Sequence, residues 1–354
     1  MIKTGIICGG HSAEHEISLL SAKNVLDALD KSRFDPVVIG IEKNGRWLLQ
    51  DAGNFIINHD KPGMVKLNPS GIPVTLAPAC GGELWFKDGA SGPVLDVVFP
   101  ILHGPFGEDG TVQGLLKLAG IPFAGAGVLG SAVGMDKEIA KRLLHDAGLP
   151  VCAFFSATEK TLPDYHSAVK RLGTPFFLKP ANMGSSVGVF KVHNQNEWQT
   201  AVCEAFRYDS KLIFEEFIDG REIECAVLDG DEPVASVPGE VRPLHEFYSY
   251  DAKYLDAAGA ELDVPAKLTG ALTEKIRDMA LKVFKTLCCE SLARVDFFVT
   301  KDENIFVNEI NTMPGFTRIS MYPKLFEQCG IDYTSLISRI IDNAIKRFNK
   351  AACF

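Results

Sequence analysis

Two apolar stretches near the C-terminus hold the densest set of reactive side chains in this chain of 354 residues. They read Leu292-Ala293-Arg294-Val295-Asp296-Phe297-Phe298-Val299 and Asn304-Ile305-Phe306-Val307-Asn308-Glu309-Ile310-Asn311. The polar run between them, Thr300-Lys301-Asp302-Glu303, predicts a hairpin turn. A turn centred on Asp302-Glu303 sets Asp296 opposite Glu309 and Arg294 opposite Asn311. The period of two along a strand then puts all four on one face. Like charges directly opposed across strands destabilise a sheet, so a cation between them is expected. A hard divalent ion with oxygen ligands, magnesium foremost, meets that need. Arg294 beside it is a fixed cation suited to phosphate chemistry. An ordinary ion-pair cluster on a solvated sheet face would use the same residues. The segment that follows, Thr312-Met313-Pro314-Gly315-Phe316-Thr317, breaks the strand and exposes backbone donors of the kind that bind an oxyanion. Turn formation alone also accounts for Pro314-Gly315.

A second constellation is Lys179-Pro180-Ala181-Asn182-Met183-Gly184-Ser185-Ser186-Val187-Gly188-Val189. An apolar strand ends in lysine, and small residues then let backbone amides approach phosphate oxygens. A plain hairpin loop is the bland reading. A lysine closing an apolar strand favours phosphate, which it can reach as a point charge. Leu212-Ile213-Phe214-Glu215-Glu216-Phe217-Ile218 and Arg221-Glu222-Ile223-Glu224 place carboxylates near an apolar strand. Such a pattern suits base and ribose recognition, and equally a solvated charge run. Gly125-Ala126-Gly127-Val128-Leu129-Gly130 matches GxGxxG, but no acidic residue ends a second strand about twenty positions later, as a dinucleotide fingerprint needs. A tight turn and close helix packing account better for these glycines.

The elements that must position these residues are legible in outline. Strands are expected at Thr4–Cys8, Pro36–Ile41 and Val94–Leu102, with helices from about Glu14 to Leu29 and over Thr111–Leu118. This alternation predicts a mostly parallel sheet with helices on its faces. Ligands gather at the strand C-termini of such sheets. There lie Gly9-Gly10-His11-Ser12-Ala13-Glu14-His15-Glu16 and His103-Gly104-Pro105-Phe106-Gly107-Glu108-Asp109-Gly110. A helix over Asp136–Ala147, stopped by Gly148 and Pro150, opens a second α+β unit with strands at Phe176–Lys179, Val187–Val192 and Leu212–Phe217. A third unit contains the acidic hairpin and closes with an amphipathic helix over Asp332–Asn349. The expected division is therefore 1–134, 135–220 and 221–354. Between Val241 and Ala266 an aperiodic, tyrosine-bearing run has the length and composition of a lid or binding loop.

Bulk composition sets the bounds. Hydrophobic residues make up 46% and charged residues 23%, as in ordinary globular proteins. A net charge of −9 argues against a nucleic-acid partner. No apolar run reaches the length of a membrane span, and the N-terminus reads as a buried strand rather than a secretion signal. Nine scattered cysteines without a CxxC pair imply reduced thiols and a cytoplasmic setting.

Taken together, these motifs resemble the D-alanine–D-alanine ligases of the ATP-grasp superfamily over nearly the whole chain. The matching segments are Gly9 through Glu16, His103 through Gly110, Met135-Asp136-Lys137, Lys179 through Gly188, Lys253-Tyr254, Arg294-Val295-Asp296 and Asn308 through Ser320. The resemblance implies an α/β (α+β) ATP-grasp fold in three units, the first a parallel α/β domain. It implies that Lys137, Lys179 and Lys253 contact ATP phosphates beneath the Ser185-Ser186 loop. Glu215 and the Glu216-Phe217-Ile218 backbone would face adenine, and Glu222 the ribose. Asp296, Glu309 and Asn311 would bind two Mg²⁺ ions, with Mn²⁺ as a substitute. Glu14 would hold the ammonium of the first D-alanine near His103, with Ser185 and Tyr254 bonded to it. Arg294 and the Gly315 amide would form the oxyanion site. Ser320 and Lys253 would hold the second substrate's carboxylate, with Met321 alongside. The departure from the family's pattern is Glu216, where many relatives have lysine; it bears on an adenine-edge contact.

The implied reaction passes through an acyl phosphate of one D-alanine, which the amine of a second attacks, and the product feeds peptidoglycan synthesis. A cytoplasmic homodimer is implied as well. Sister ligases that use D-serine or D-lactate are the nearest alternative; lactate-using relatives typically carry histidine in place of the tyrosine of Lys253-Tyr254. A catalytically silent nucleotide-binding regulator should lack a phosphate lysine or a metal ligand, and none is missing. A dinucleotide oxidoreductase is the third reading.

Overall fold

The computed structural model describes residues 1–59, 63–243 and 260–351. Three sheets carry the architecture. The first has seven strands. Its parallel part consists of Phe34–Ile41, Ile2–Gly9 and Val97–Ile101, with Ile2–Gly9 in the middle. Thr4 through Cys8 is buried without alternation, as expected of a strand covered on both faces. The helix His15–Ala28 follows directly. Gly9 makes the turn between them. It has φ +90°, and a Cβ there would strike the Ile41 carbonyl, so only glycine fits.

The parallel arrangement stops at those three strands. Trp47–Gln50, Ile72–Leu76, Glu83–Phe86 and Ser91–Val94 extend the sheet antiparallel from the Phe34–Ile41 edge. Short, weakly apolar strands joined by tight turns make this extension, and such a meander leaves little periodic signal. The expected strand Val94–Leu102 is in fact two. Ser91–Val94 ends the meander, and Val97–Ile101 begins the parallel pairing.

The second sheet, of four strands, is antiparallel and contains Phe154–Ala157, Leu212–Glu216, Phe176–Pro180 and Phe190–Val192 in that order. The expected strand at Val187 begins only at Phe190. Ser185 (φ +50°), Ser186 (φ +59°) and Gly188 (φ +69°) turn the chain through left-handed conformations, so extension starts later.

The third sheet is built on Gly220–Leu228, with Leu292–Thr300 and then Ile305–Asn311 on one side and Gly239–Pro243 and then Ala260–Asp263 on the other. These last two strands form a paired stem where the sequence suggested only an aperiodic loop. Lys253 and Tyr254, assigned to that loop, lie outside the described residues.

The helix Gly270–Thr286 covers one face of the third sheet through Leu272, Ile276, Ala280 and Val283. The C-terminal helix Tyr333–Ala351 places Leu336, Ile337, Ile340 and Ile341 in one core with Ile6, Leu19, Val25 and Phe99 of the N-terminal region. The first and last parts of the chain thus share a core. The glycine-rich 125–130 segment is a packing device: Gly125 adopts φ +97°, and a Cβ on Gly130 would sit 2.5 Å from the Cys288 carbonyl oxygen.

Candidate active site

A cavity of about 450 Å³ opens where the three sheets converge. Its floor is the hairpin of Leu292–Thr300 and Ile305–Asn311. Arg294 pairs with Asn311 and Asp296 with Glu309, as the sequence reading requires, and all four line the cavity. The route to that register differs from the simple hairpin. The pairing shifts by one residue between Asp296 and Phe297, a bulge at Asn308. Beyond it Val299 faces Ile305. The bulge leaves Asn308 and Glu309 both on the cavity side. Strict alternation cannot reveal Asn308.

The neighbouring strand adds a third carboxylate. Glu224 lies opposite Asp296 on its other flank and pairs with Arg294 Nε at 3.0 Å. Arg294 also forks onto Asp296, with Nε and Nη2 each 2.7 Å from a carboxylate oxygen. Asn311 Nδ2 donates to Asp296 at 3.0 Å, and Lys137 Nζ stands 3.7 Å from Glu309. Arg294 and Lys137 thus reach three acids on adjacent strands. Glu224 was visible in sequence as the strand partner of Glu222 at period two, but only the pairing shows that it flanks Asp296.

Asp296, Glu309 and the Asn311 amide offer hard oxygen donors only. Among the described residues no group of three or more His, Cys, Asp or Glu side chains closes into a metal cage. The donor set fits a magnesium-type ion, which is commonly held by one or two carboxylates and completed by substrate phosphates and water.

Above this floor the loop after Lys179 meets the first helix. Ser185 Oγ donates to Glu14 Oε1, and a Cβ on Gly184 would lie 3.1 Å from Glu14 Oε2. Lys137 reaches the same loop through Met183 O at 2.6 Å. Its position follows from a helix cap. Asp136 accepts from the N–H groups of Glu138 and Ile139, both at 3.1 Å, and pairs with Lys211 at 2.6 Å. Lys137 is therefore the first residue of a well-anchored helix.

The far wall is the loop after Asn311. Glu108 accepts the N–H of Gly104 at 2.7 Å and of Met313 at 3.1 Å. Burial, reinforced by nearby Glu14, lifts its carboxyl to about 8, against those two hydrogen bonds and the charge of Lys137. Burial holds His103 below the usual imidazole range, although Glu14 and the Met313 carbonyl oppose it. A neutral ring fits one consistent chain of donors. Phe316 N–H donates to Ser21 Oγ (3.2 Å), Ser21 Oγ–H to His103 Nε2 (3.4 Å), and His103 Nδ1–H to the Met313 carbonyl (3.0 Å). The sequence reading named His103 but missed Glu108, whose role appears only when the two loops meet. Gly315 and Ser320 also line this wall; a Cβ on Gly315 would lie 2.8 Å from Ser320 Oγ. Ser320 is fixed by Thr317, whose N–H and Oγ1 lie 3.0 and 2.8 Å away. Met321 is buried at the head of the next helix and lines the same wall.

Of the remaining predicted residues, all but Glu222 lie beyond the cavity lining. Glu215 is buried between two lysines, 2.5 Å from Lys179 and 3.2 Å from Lys141. Burial would raise its carboxyl, but Lys141 and Lys179 overcome that and bring it to about 2. Lys179 is raised despite its burial, chiefly by Glu215 and then Glu309. Lys141 was not singled out from sequence. Glu216 exchanges hydrogen bonds with Ala153 through its backbone N–H (2.9 Å) and its carboxylate (3.2 Å). Phe217 lies under the Lys191 ammonium at 4.4 Å. Ile218 follows at the strand end, and Ser186 sits in the left-handed turn without lining the cavity. Glu222 lines the cavity from Gly220–Leu228.

Known proteins resemble this chain over nearly its whole length. The D-ala D-ala ligase N-terminus family matches residues 3–126, and the D-ala D-ala ligase C-terminus family matches residues 143–342. The D-alanine–D-alanine ligase of Oceanobacillus iheyensis is 50% identical over 349 residues, covering 98% of this chain and 95% of that protein. Among solved structures, the D-alanine–D-alanine ligase of Coxiella burnetii superposes with a TM-score of 0.87 at 37% identity, covering 99% of this chain and 96% of that one. The VanG D-Ala:D-Ser ligase of Enterococcus faecalis gives 0.84 at 32% identity, covering 97% and 99%.

Proposed function

The chain belongs to the D-alanine–D-alanine ligase family, and we propose that the convergent cavity is where it performs that family's chemistry. It is an ATP-dependent ligase of the ATP-grasp fold that joins two D-alanines. The observation that carries the site assignment is the in-register pairing of Asp296 with Glu309 beside Arg294, facing Glu14 and Ser185 across one cavity.

In this reading Glu14 receives the ammonium of the first D-alanine, and the Ser185 hydroxyl fixes the carboxylate's orientation. His103, held neutral, adds no charge beside it. Lys137 and Lys179 stand where the phosphates of ATP would enter, under the Ser185-Ser186 turn. Glu215 and the Glu216–Ile218 backbone take the adenine, and Glu222 the ribose. Arg294 and the Gly315 N–H are the donors for charge that develops on the acyl oxygen. Ser320 and Met321 shape the second subsite. The roles given to Lys253 and Tyr254 rest on the resemblance alone.

Asp296, Glu309 and Asn311 would hold two Mg²⁺ or Mn²⁺ ions, which when bound supply positive charge to the transferring phosphoryl group. The three units 1–134, 135–220 and 221–354 are supported by the three sheets, each falling within one unit. The described cysteines are free thiols, which supports a reducing, cytoplasmic setting. A homodimer is the assembly proposed, checked by sedimentation.

The test is product identity. Incubation with ATP, Mg²⁺ and an equimolar mixture of D-alanine, D-serine and D-lactate should give D-alanyl-D-alanine as the main product by mass. A dominant D-serine or D-lactate adduct would overturn the second-subsite assignment, and Asp296→Asn should abolish turnover with any of them.

A further inference from the structure

Two lysines serve one buried carboxylate, and one of them is more enclosed than the other. Glu215 is flanked in register by Phe154 and Phe177 on the two adjacent strands and is 3% exposed. Lys179 approaches one oxygen at 2.5 Å and is 12% exposed. Lys141 approaches the other at 3.2 Å and is 1% exposed. It stands one helical turn after Lys137, with Cys152 Sγ 3.5 Å away as its other polar neighbour. Lys137 and Lys141 therefore project from the same face of one helix.

We propose that Lys141 is a positioning residue: the permanent counter-ion of Glu215, whose charge frees Lys179 to move to the phosphates of the nucleotide. The proposal rests on the reading that ATP phosphates reach Lys179. With both lysines present, the cluster of two cations and one anion carries a surplus positive charge. If Lys179 turns to a phosphate, Glu215 keeps a partner only through Lys141. Without Lys141 the same movement would strand an ionised carboxylate among phenylalanines. Removing one member of a buried pair in this way is strongly unfavourable, and such a group takes up a proton instead.

The groups facing Glu215 are few. Lys141 comes from the helix Lys137–Asp146, and Lys179 from the strand Phe176–Pro180. Cys152 precedes the strand Phe154–Ala157. Its thiol is pushed up by burial and stays neutral. Glu309 acts on Lys179 from the hairpin. Lys141 heads the favourable charges that keep Glu215 ionised. Among the described residues Lys141 and Lys179 are within ion-pair distance of Glu215, while Lys191, in the same row of the sheet, is held over Phe217.

The experiment is titration calorimetry of the full chain with the non-hydrolysable analogue AMP-PNP and Mg²⁺ at pH 7, in two buffers of different ionisation enthalpy. The difference between buffers counts protons taken up on binding. Lys141→Met should take up about one proton more per nucleotide than wild type and bind at least tenfold more weakly. Lys141→Arg should match the wild-type proton count. The double variant Lys141→Met with Glu215→Gln should lose the extra proton. If Lys141→Met does not fold, Lys141→Gln is equally neutral and keeps a buried donor; the same extra proton is expected. An unchanged proton count in a folded neutral variant overturns the proposal, whatever happens to affinity. A wild type that binds no nucleotide overturns the functional reading and this inference with it, and so is told apart from failure of the inference alone.

Discussion

Arg294 is the sharpest point at which to test the floor of the cavity. It forks onto Asp296 at 2.7 Å twice and holds Glu224 at 3.0 Å. All three side chains are less than one-fifth exposed. Lys137 stands 3.7 Å from Glu309 beside these strands. Replacing Arg294 by methionine keeps an unbranched apolar stem and removes the guanidinium. Breaking a buried ion pair by removing one partner costs about 3–5 kcal/mol. The residual solvent access here places the expected loss near the lower figure, about 3 kcal/mol.

The same substitution removes the guanidinium fork from Asp296, which keeps the Asn311 amide and faces Glu309 in register. If this face is a cation site, magnesium should repair much of the damage. An ion present at a hundredfold over its dissociation constant stabilises by about 2.7 kcal/mol. Chemical denaturation with and without 10 mM Mg²⁺ should therefore show Arg294→Met weakened by about 3 kcal/mol without the ion. Magnesium should then restore more to the variant than to wild type. Turnover should still fall by about 10²–10³, the usual effect of removing an oxyanion donor, because magnesium cannot replace the fork. Equal magnesium effects on variant and wild type would refute the cation site. A variant as stable as wild type without magnesium would refute the charge argument beneath it.

Three further outcomes follow from single contacts. Ser185→Ala removes a hydroxyl bonded to the Glu14 carboxylate and should lower kcat/KM for D-alanine about ten- to a hundredfold, since a hydrogen bond to a charged group is worth about 1.5–3 kcal/mol. Ser185→Gly should lose as much activity yet denature about 1 kcal/mol later than Ser185→Ala, because Ser185 sits at φ +50°. Gly130→Ala brings a Cβ to 2.5 Å from the Cys288 carbonyl oxygen and should cost about 1–3 kcal/mol in urea melts while leaving KM values unchanged. Glu108 titrates near 8 in the folded chain against an ordinary 4.5, so the folded state holds a proton that the unfolded state releases. Its contribution should erode stability between pH 4.5 and 8 at up to about 1.4 kcal/mol per pH unit. The stability–pH slope of Glu108→Gln should be shallower over that range.

The sequence reading set Asp296 against Glu309 by centring the turn on Asp302-Glu303, and the structure reaches the same pairing from Val299 opposite Ile305 through one extra residue. The bulge at Asn308 escaped, since an inserted residue changes which face a side chain takes without changing composition. Helices with a broad apolar face, such as His15–Ala28 and Tyr333–Ala351, were legible to within a residue or two. The bounds of Val128–Met135 were not legible, and Gln195–Ala205 escaped. The first is apolar nearly all round, and the second mixes polar and buried positions. The antiparallel extension of the first sheet escaped because Trp47–Gln50 and Glu83–Phe86 are too short to show a period. Lys179 could be read from its place at the end of an apolar strand. Lys141 could not: it is a lysine in a helix, and only the fold turns it inward.

The contact between Glu108 and Met313 explains how distant parts of the chain make one site. The loops at residues 9–16 and 103–110 belong to the first sheet, while the loop carrying Met313 and Gly315 follows the third. No covalent proximity holds them together. Glu108 spans the gap with its two oxygens, one on Gly104 N–H and one on Met313 N–H. His103 spans it in the opposite sense by donating to the Met313 carbonyl. Both backbone groups of Met313 are therefore anchored to the His103–Gly110 loop, and Phe316 is anchored to the first helix through Ser21. The shared core that unites Tyr333–Ala351 with the N-terminal region brings these loops near each other, and the polar clamp fixes their register. A substitution of Glu108 should thus act on both substrate subsites at once, because Gly315 and Ser320 lie on the same short loop as Met313.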